Sequence, residues 1–407
     1  MSTPHPSSTS CSRPWRVFAA LCVLVPGLAA TSPQPAAPAP PGPTMRAIRY
    51  AEYGTPKVLR LASVPRPVPR DHQVLVQVHF AAANPLDWHY LRGTPYIMRI
   101  ETGLRAPKNP ALGVDVAGRI VAVGPKVTRF KPGDDVFGTG PGAFAEYVLA
   151  SEQKVVRKPA NVTFEQAAAV PVAALTALQG LRDTGQVRSG QHVLINGASG
   201  GVGTFAVQLA RNMGAHVTGV CSGRNVALVR SLGAERVIDY TREDFTRGEE
   251  RYDVVLDLVG NRDLLDLRRV LKPGGRHVLI GGGGPDAGHW LGPFAMTIRA
   301  FLLDPFVAEQ FTTMLAEINA RDLEYMAGLL SAGKVVSVID RRYPLEQVPA
   351  AIDYLERGRA RGKVIIDLEV DPPRWALHLP KHVQVRPTDR QHVGATLEAP
   401  HGQGAAD

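Results

Sequence analysis

The sequence predicts an α/β protein with two domains, an antiparallel β-barrel and a doubly wound parallel sheet. Short strand-like runs separated by turn residues fill residues 45–149, as expected for antiparallel β-structure. From residue 192, apolar strand-like runs alternate regularly with helical segments. Strands that alternate with helices are typical of βαβ units, which build a parallel sheet covered by helices on both faces.

The first part of the chain has the pattern of an irregular barrel. Pro65, Pro67 and Pro69 follow its first strand, and residues 74–80 alternate between apolar and polar side chains only in part. Partial alternation indicates a strand with one well-buried face. The predicted strands are 45–53, 74–80, 113–123, 134–137 and 143–149.

The second part begins with two alanine-rich helical segments, 167–171 and 173–181. The strands that follow are rich in Val, Ile and Leu without strict alternation, which indicates burial on both faces of a parallel sheet. The predicted strands are 192–196, 216–221, 235–239, 252–259 and 275–281, and the helices between them are 202–213, 224–232 and 263–271.

One long apolar segment, residues 290–307, comes after the parallel-sheet pattern. Arg299 and Asp304 fall inside it, so a buried or dimer-facing helix is favoured over a membrane contact. We therefore expect a homodimer and no stable membrane insertion of the core. The remaining predicted elements are a helix over 307–331, a strand over 335–340, a helix over 345–357 and a strand over 363–370.

Composition excludes several other classes of protein. The 407 residues leave room for two domains, and 40 glycines and 34 prolines fit a turn-rich, partly β fold. Of the three cysteines, Cys11 and Cys22 lie in the N-terminal tail, so the folded region holds only Cys221. A single cysteine excludes a disulfide framework and a multi-cysteine zinc site within the core. The net charge of +9 comes without a Lys/Arg block or nucleic-acid motif, so we expect a phosphorylated small-molecule ligand and no nucleic acid.

The strand predicted at 192–196 ends in a glycine cluster that opens a helix. The cluster fits the dinucleotide-binding pattern as Ala198-x-Gly200-x-x-Gly203, although an ordinary strand–helix turn looks similar. Glycines permit a tight turn, and the start of the helix offers free N–H groups and a positive dipole end to a pyrophosphate. The candidate cofactor-binding residues of this turn are Ala198, Ser199, Gly200, Gly201, Val202 and Gly203.

Five motifs in order along the chain resemble those of one enzyme family. They are Met45–Tyr50, Gly113–Gly118, Phe130–Asp134, the glycine turn and Arg361–Val364. Together they resemble the zinc-independent quinone oxidoreductase branch of the medium-chain dehydrogenase/reductase superfamily. The resemblance implies a discontinuous GroES-like β-barrel catalytic domain wrapped around a doubly wound Rossmann domain, with the active site in the cleft between them. The implied domains are 45–165 and 301–370 for the catalytic domain and 166–300 for the Rossmann domain.

Zinc-using members of this superfamily carry a Cys and a Gly-His-Glu motif that bind the catalytic metal, together with a four-cysteine lobe. In this chain the cysteine position reads Asn84, and the Gly-His-Glu position reads Gly113-Val114-Asp115. The four-cysteine lobe is missing. A zinc site needs at least three protein ligands within reach, so these departures predict that no metal is bound.

The strand after the glycine turn bears on the choice of cofactor. An NAD-preferring enzyme places an Asp or Glu on the ribose 2′-hydroxyl at this strand end. Here the strand ends in Ser222-Gly223-Arg224 without a carboxylate. Ser222 and Arg224 favour a 2′-phosphate and therefore NADPH, unless Arg224 only opens a helix and faces solvent. The resemblance also implies that Tyr240 lies near this phosphate. It places Gly281 and Gly282 beside the nicotinamide, unless these glycines form only a flexible connection.

Reduction of a carbonyl-containing substrate without a metal needs hydrogen-bond donors for the charge that develops on its oxygen. The resemblance assigns Asn84 and Thr176 to the pocket, where each is able either to polarise the carbonyl or to hold the nicotinamide. Alternatively, Thr176 bonds its own helix backbone and Asn84 is a turn residue before Pro85.

The proton donor stays open among three side chains close together in the sequence, His89, Tyr90 and Tyr96. The ordinary pKa of histidine suits a proton relay, although a lone histidine in a polar loop is more often incidental. Asp87 is expected to orient its neighbours rather than to act as a base.

The sequence thus predicts an NADPH-dependent, metal-free oxidoreductase that reduces quinones or α,β-unsaturated carbonyls by hydride transfer. The alternative is an NADPH-binding regulatory or scaffolding protein with little catalytic activity. Retention of the polar pocket residues Asn84 and Thr176 favours the enzyme.

The two ends of the chain lie outside the resemblance. Residues 1–44 contain a signal-like apolar run after Arg13 and Arg16, followed by a Pro/Ala linker. Alternatively translation begins at Met45, which we favour because NADPH is scarce outside the cytoplasm. We therefore expect a cytoplasmic protein, exported only if the apolar run is a real signal peptide, and a disordered tail over 371–407.

Overall fold

Two β-sheets organise the fold, and the chain builds most of the first, then the second, and finally returns to the first. The computed structural model describes residues 42–281, 290, 298–299 and 308–369. Within these ranges no helix is long and apolar enough to cross a membrane. The predictions for residues 1–41 and 370–407, and for most of the apolar segment 290–307, lie outside the described residues.

The first sheet is the barrel-like part of the fold. In the described chain its strand order is β14-β15-β3-β4-β5-β7, and β6 also pairs with β3. Strands β1 and β2 form a separate antiparallel pair. Every pairing in the larger sheet is antiparallel except β14 with β15. These strands are β1 (Thr44–Arg49), β2 (Arg60–Pro65), β3 (Gln73–Ala83), β4 (Asp115–Val123), β5 (Asp135–Thr139), β6 (Tyr147–Ser151), β7 (Val155–Arg157), β14 (Ile339–Pro344) and β15 (Lys363–Asp367).

Every described strand pairing in the second sheet is parallel, which confirms the predicted alternation of strands and helices. Its strand order is β10-β9-β8-β11-β12-β13. The order reverses between β8 and β11, and ligands of such sheets bind in the crevice beyond the carboxyl ends of the strands at this point. The strands are β8 (His192–Asn196), β9 (His216–Cys221), β10 (Arg236–Asp239), β11 (Tyr252–Asp257), β12 (Leu271–Leu279) and β13 (Gln310–Thr313).

Helices cover both faces of the parallel sheet. Leu175 and Leu178 of α4 and Phe205 of α5 are fully buried in the largest apolar core, together with Val193 of β8. Packing of α4 against α5 therefore brings the end of the barrel close to the strand–helix turn after β8. The described helices are α1 (Pro85–Arg92), α2 (Arg99–Thr102), α3 (Phe164–Ala168), α4 (Pro171–Gln179), α5 (Gly201–Asn212), α6 (Val226–Ser231), α7 (Leu264–Val270), α8 (Ala320–Ser331) and α9 (Val348–Glu356).

The predicted helix over 307–331 is wrong at its start. Gln310–Thr313 forms the edge strand β13, and the helix begins only at Ala320, with Asn319 as its N-cap. Phe311 is buried in this strand, and β12 supplies its backbone partners. A four-residue strand with one buried side chain leaves no periodicity in the sequence, so tertiary pairing decides its structure. The segment after residue 301 therefore contributes a strand to the Rossmann sheet before it returns to the barrel.

Candidate functional site

The glycine turn joins β8 to α5, and its backbone is tightly packed at Gly203. Gly197 follows β8 with φ at +86°, a left-handed conformation that favours glycine. A Cβ at Gly203 would lie 2.2 Å from the carbonyl oxygen of Gly197. The hydrogen-bond ladder of the helix begins with the N–H of Thr204, which donates to the carbonyl of Gly200 at 2.9 Å. The chain therefore turns sharply from strand into helix, and only glycine fits at Gly203.

The open face of this turn is the start of α5. The N–H groups of Gly201, Val202 and Gly203 precede the first rung of the ladder, so they have no partner within the helix. Together with the helix dipole they form a site suited to a phosphate group. Ala198 is different, because it is fully buried and its N–H donates to the carbonyl of Val220 at 3.0 Å. Ala198 therefore packs within the turn and does not offer its N–H to a ligand.

Asn225, which the sequence reasoning missed, links the glycine turn to the end of β9. Its side-chain amide donates to Ser199 Oγ at 2.9 Å and lies 3.2 Å from Ser222 Oγ. Asn225 is buried, whereas its neighbour Arg224 is exposed and donates to the carbonyl of Arg359 at 3.0 Å. Ser199 and Ser222 are thus brought together, and Arg224 lies two residues beyond them at the same edge of the turn.

A carboxylate also lies at this edge. Asp239 ends β10, and a Cβ on Gly223 would approach its Oδ2 to 2.5 Å. Hydrogen bonds from the side chain and the backbone N–H of Thr241 hold the pKa of Asp239 below its ordinary value. Tyr240 follows it and is 55% exposed. The edge therefore carries both signs of charge, Arg224 and Asp239, next to Gly223.

Four buried polar side chains, Asn84, Asp87, Asp115 and Lys363, form a second group that we call the polar cluster. The Lys363 ammonium donates to Asn84 Oδ1 at 2.6 Å and to Asp115 Oδ2 at 3.0 Å. Asn84 Nδ2 donates to the same Asp115 oxygen at 3.0 Å. Asp115 Oδ1 accepts the backbone N–H of Val172, at the start of α4, at 3.0 Å. The buried ammonium and the buried carboxylate are thus paired, as burial of charge requires.

Sheet pairing assembles the polar cluster. β4 and β15 flank β3, so Asp115, which begins β4, and Lys363, which begins β15, meet at the end of β3. In the register, Asp115 lies opposite Ala82, and the residue after Lys363 lies opposite Ala83. Asn84 follows β3 directly and precedes α1. Sequence reasoning assigned no role to Asp115 or Lys363, although both fall inside motifs that carry the family resemblance.

Asp87 is held by the backbone on both sides. Its Oδ2 accepts the N–H of Asn84 at 2.8 Å, and its Oδ1 accepts the N–H of Gly113 at 3.1 Å. Burial raises the pKa of Asp87 to about 7, and the two backbone hydrogen bonds only partly oppose this effect. The nearby charge of Asp115 adds to the increase in pKa, and that of Lys363 opposes it. Asp87 therefore joins the loops that carry Asn84 and Gly113.

Thr176 lies on α4, one turn after Val172. Its hydroxyl donates to the carbonyl of Val172 at 2.6 Å, which is the contact with its own helix that the sequence left as an alternative. In this arrangement the hydroxyl proton is engaged, and the oxygen is able only to accept a hydrogen bond from a ligand. Thr176 is 7% exposed.

The three candidate proton donors have different surroundings. His89 Nδ1 lies 2.8 Å from the carbonyl of Thr94, which only accepts, so the proton of the neutral ring is on Nδ1. Burial lowers the pKa of His89, and a neutral ring leaves Nε2 as an acceptor. Burial raises the pKa of Tyr90. Tyr96 is 36% exposed, and its ring meets that of Trp290 edge-on at 5.6 Å.

Gly281 lies at the carboxyl end of the parallel sheet, where the backbone is tightly packed. Its N–H donates to the carbonyl of Asp257 at 3.2 Å, and a Cβ on Gly281 would lie 1.9 Å from the carbonyl oxygen of Leu258. The chain therefore passes closely over the end of β11 at this position. Gly282, the other glycine predicted here, lies outside the described residues.

Comparison with known proteins agrees with this geometry. Residues 70–160 match the family model described as "Alcohol dehydrogenase GroES-like domain", and residues 232–366 match the one described as "Zinc-binding dehydrogenase". A chloroplast envelope quinone oxidoreductase homolog of Arabidopsis thaliana is 34% identical over 342 residues, which cover 80% of this chain and 99% of the relative. The chain belongs to the quinone oxidoreductase branch of the medium-chain dehydrogenase/reductase superfamily.

Two further members show how far the family likeness extends. A 2-methylene-furan-3-one reductase of Solanum lycopersicum is 36% identical over 337 residues, which cover 79% of each chain. The structure of the quinone oxidoreductase from Coxiella burnetii superposes with a TM-score of 0.72 at 32% identity, covering 80% of this chain and all (100%) of that one. This medium-chain dehydrogenase/reductase is therefore an oxidoreductase of a family that uses nicotinamide cofactors, and its two sheets are the GroES-like and Rossmann domains of that family.

At two positions where zinc-using members of the superfamily carry metal-binding motifs, this member has Asn84 and Asp115. Both side chains are bound to the Lys363 ammonium. In the part of the chain that the structure describes, no group of three or more His, Cys, Asp or Glu side chains is placed to hold a metal ion.

Asp87→Asn is expected to change how the stability of this family member depends on pH. Because the pKa of Asp87 is about 7 in the folded protein and 3.8 ordinarily, the native state keeps a proton that the unfolded chain has lost between these values. The contribution of Asp87 to the free energy of unfolding is therefore full below about pH 4 and is lost as the pH rises through about 7.

Chemical denaturation of the wild type and Asp87→Asn at pH 5 and pH 8 measures this effect. The unfolding free energy of the variant minus that of the wild type should be greater at pH 8 than at pH 5 by roughly 2–3 kcal/mol. An equal difference at both pH values would contradict the raised pKa.

Proposed function

We propose that this oxidoreductase uses NADPH, without a metal, to reduce quinones or α,β-unsaturated carbonyl compounds. One observation carries the proposal: the polar cluster lies directly against the glycine turn. A Cβ on Gly201, in the first turn of α5, would lie 3.1 Å from Cδ of Lys363. The ammonium of the same lysine holds Asn84. A turn suited to a dinucleotide phosphate and an amide able to polarise a carbonyl are therefore neighbours.

The residues of the glycine turn fit a dinucleotide. The close approach at Gly203 and the free N–H groups at the start of α5 are the features that a pyrophosphate needs. A bound nicotinamide would supply a hydride to an electrophilic carbon of the substrate. The chain's own contribution is to bind the phosphates, hold the ring and stabilise the negative charge on the substrate oxygen. Asn84 is our candidate for the last role, because its amide carries N–H donors.

The names of relatives support this substrate class. The Arabidopsis and Coxiella proteins are named for quinones, and the Solanum protein is named for 2-methylene-furan-3-one, which is an α,β-unsaturated ketone. Quinones and such ketones both contain a carbonyl conjugated to a carbon–carbon double bond. Both accept a hydride at carbon or oxygen and develop charge on a carbonyl oxygen, so the same donors serve both.

NADPH oxidation measured against a panel of simple quinones and α,β-unsaturated ketones, with and without a chelator, tests this function. We expect turnover with at least one class and no loss on chelation. Complete loss on chelation would overturn the metal-free proposal. If no compound of the panel supports NADPH oxidation although NADPH still binds, the alternative of an NADPH-binding regulatory or scaffolding protein is favoured.

Selection of NADPH is proposed to depend on the edge that carries Ser222 and Arg224. The guanidinium of Arg224 is exposed at this edge, where it is available for a 2′-phosphate. Asp239 opposes this selection, because its carboxylate lies next to Gly223. The hydrogen bonds from Thr241 occupy Asp239 Oδ1, and the guanidinium of Arg224 has N–H donors besides the one that it places on the carbonyl of Arg359. We therefore retain NADPH over NADH as the preferred cofactor.

Arg224→Ala is expected to weaken NADPH binding by about 10–100-fold, because a hydrogen bond to a charged group contributes about 1.5–3 kcal/mol. NADH has no 2′-phosphate, so its binding should change by less than about threefold. Titration of each cofactor by fluorescence measures both dissociation constants. The control is Arg230→Ala, which removes another exposed arginine, on α6, and should change neither constant. Equal weakening of NADPH and NADH by Arg224→Ala would contradict the 2′-phosphate role.

A further inference from the structure

Lys363 lies against both parts of the proposed site. It begins β15, and its side chain is 3% exposed. Its ammonium reaches Asn84 and Asp115 in the polar cluster, and its aliphatic stem passes the first turn of α5 at Gly201. A long lysine in such a position connects the loop before α1 with the glycine turn.

The Lys363 ammonium determines the orientation of the Asn84 amide, that is, which side its oxygen and its nitrogen occupy. An ammonium only donates hydrogen bonds, so the group that faces it at 2.6 Å must be the amide oxygen of Asn84. The amide nitrogen therefore points away from Lys363. One of its N–H groups is directed at Asp115 Oδ2, at 3.0 Å, and the other makes only a 3.4 Å contact with the carbonyl of Ala82. At that distance the second contact is weak, and this N–H is the donor of Asn84 that is easiest to redirect.

The stem of Lys363 depends on a glycine at position 201. A Cβ there would come within 3.1 Å of Lys363 Cδ and 3.5 Å of the carbonyl oxygen of Gly362. The first of these distances is shorter than an ordinary van der Waals contact, so a larger residue would displace the stem. The position of the ammonium, and through it that of Asn84, is therefore linked to the first turn of α5.

We propose that Lys363 is a positioning residue. It holds the Asn84 amide so that an N–H, rather than the carbonyl, is offered to the substrate oxygen, and it links that amide to the turn that binds the cofactor. This proposal rests on the proposed function. It predicts that Lys363 acts on catalysis only through Asn84, and that a carbonyl turned toward the substrate would repel the developing charge.

A double-mutant cycle with Lys363→Met and Asn84→Leu tests the proposal. Each single variant should lower kcat by about 100-fold, the usual cost of one donor to a developing oxyanion, with a change in the NADPH dissociation constant of less than about threefold. In the Asn84→Leu background, Lys363→Met should lower kcat by no more than about threefold further. Lys363→Met removes the counter-ion of Asp115 both in the wild type and in Asn84→Leu, so this effect on kcat cancels in the cycle. A full 100-fold further loss in the double variant would overturn the proposal.

Gly201→Ala provides a milder test in a protein that keeps Lys363. It should lower kcat by about tenfold by displacing the stem, and it should have no effect on kcat when Lys363 is already methionine. The matched control is Lys334→Met, which removes an exposed lysine and should leave kcat and the unfolding temperature unchanged. An equal effect of Gly201→Ala in both backgrounds would contradict the link between the stem and the turn.

Thermal unfolding of the protein without cofactor provides a readout that does not depend on activity. Lys363→Met and Asn84→Leu should each lower the unfolding temperature, and the double variant should lower it by less than the sum, because the two side chains share a hydrogen bond. If the wild type reduces no member of the panel, the proposed function fails, while non-additive unfolding still supports the Lys363–Asn84 link. Additive unfolding would overturn that link.

Discussion

Gly203→Ala is expected to abolish cofactor binding and to lower the free energy of unfolding by about 3 kcal/mol, the upper part of the range for overpacked sites. The new Cβ would lie 2.2 Å from the carbonyl oxygen of Gly197 and 2.7 Å from the carbonyl carbon of Ala198. Both are backbone atoms of the same turn, so neither moves without distorting it. The gain in helix propensity from glycine to alanine is about 1 kcal/mol and does not offset this clash.

Chemical denaturation and NADPH titration of Gly203→Ala measure the two effects. Gly200→Ala is the matched control in the same turn, because its Cβ would meet only the carbonyl oxygen of Gly197, at 3.4 Å, an ordinary contact. Its backbone φ of −80° also suits alanine. We expect Gly200→Ala to keep the wild-type unfolding midpoint. An unchanged midpoint in Gly203→Ala as well would show that the turn tolerates a side chain there.

Asp115→Leu is expected to destabilise the fold by about 3–5 kcal/mol, because it leaves a buried ammonium without a counter-charge. The Lys363 ammonium would keep only its bond to Asn84, and the N–H of Val172 would lose its acceptor. Asp115 is completely buried, so water does not replace the missing partner. The start of α4 and the end of β3 should loosen together.

Two comparisons make the test of Asp115→Leu specific. Asp135→Ala removes a carboxylate from the neighbouring strand β5, where its pair with Arg119 is exposed, and should cost less than about 1 kcal/mol. Addition of Lys363→Met to Asp115→Leu removes both buried charges and should recover part of the stability. Equal unfolding midpoints for Asp115→Leu and Asp135→Ala would refute the buried ion pair as the cause.

The parallel sheet and its glycine turn are predictable from sequence because their requirements are local. The strands at 192–196 and 216–221 have the predicted bounds, since each is buried after its first residue and is followed directly by a turn residue, Gly197 or Ser222. The turn between β8 and α5 is equally local, because Gly197 and Gly203 meet within seven residues of chain.

The polar cluster is not predictable in this way. Lys363 is separated from Asn84 by 279 residues and from Asp115 by 248 residues. Each side chain by itself looks like an ordinary polar residue at the end of a strand. Only the antiparallel pairing of β4 and β15 with β3 brings the three together and reveals that Asn84 is already bound.

Thr176 illustrates a different limit. The resemblance assigned it to the pocket, and it does lie on α4 one turn after the residue that Asp115 holds. Which partner a threonine hydroxyl prefers depends on a rotamer, and sequence carries no information about it. In the described structure that hydroxyl donates to Val172, so its proton is engaged within the helix.

The late position of β15 in the chain sets an order of events during protein synthesis. β3 leaves the ribosome early, but its neighbour β15 follows only after the whole Rossmann sheet has been made. At about 5–20 residues per second, residues 80–83 of β3, which pair with β15, lack this neighbour for on the order of tens of seconds, whereas β6 covers residues 73–77 much earlier. Asp115 likewise has no counter-ion from Lys363 until that residue has left the ribosome. A nascent chain that pauses before β14 therefore exposes a strand edge of the kind that aggregates or recruits chaperones, whereas the parallel sheet is already complete.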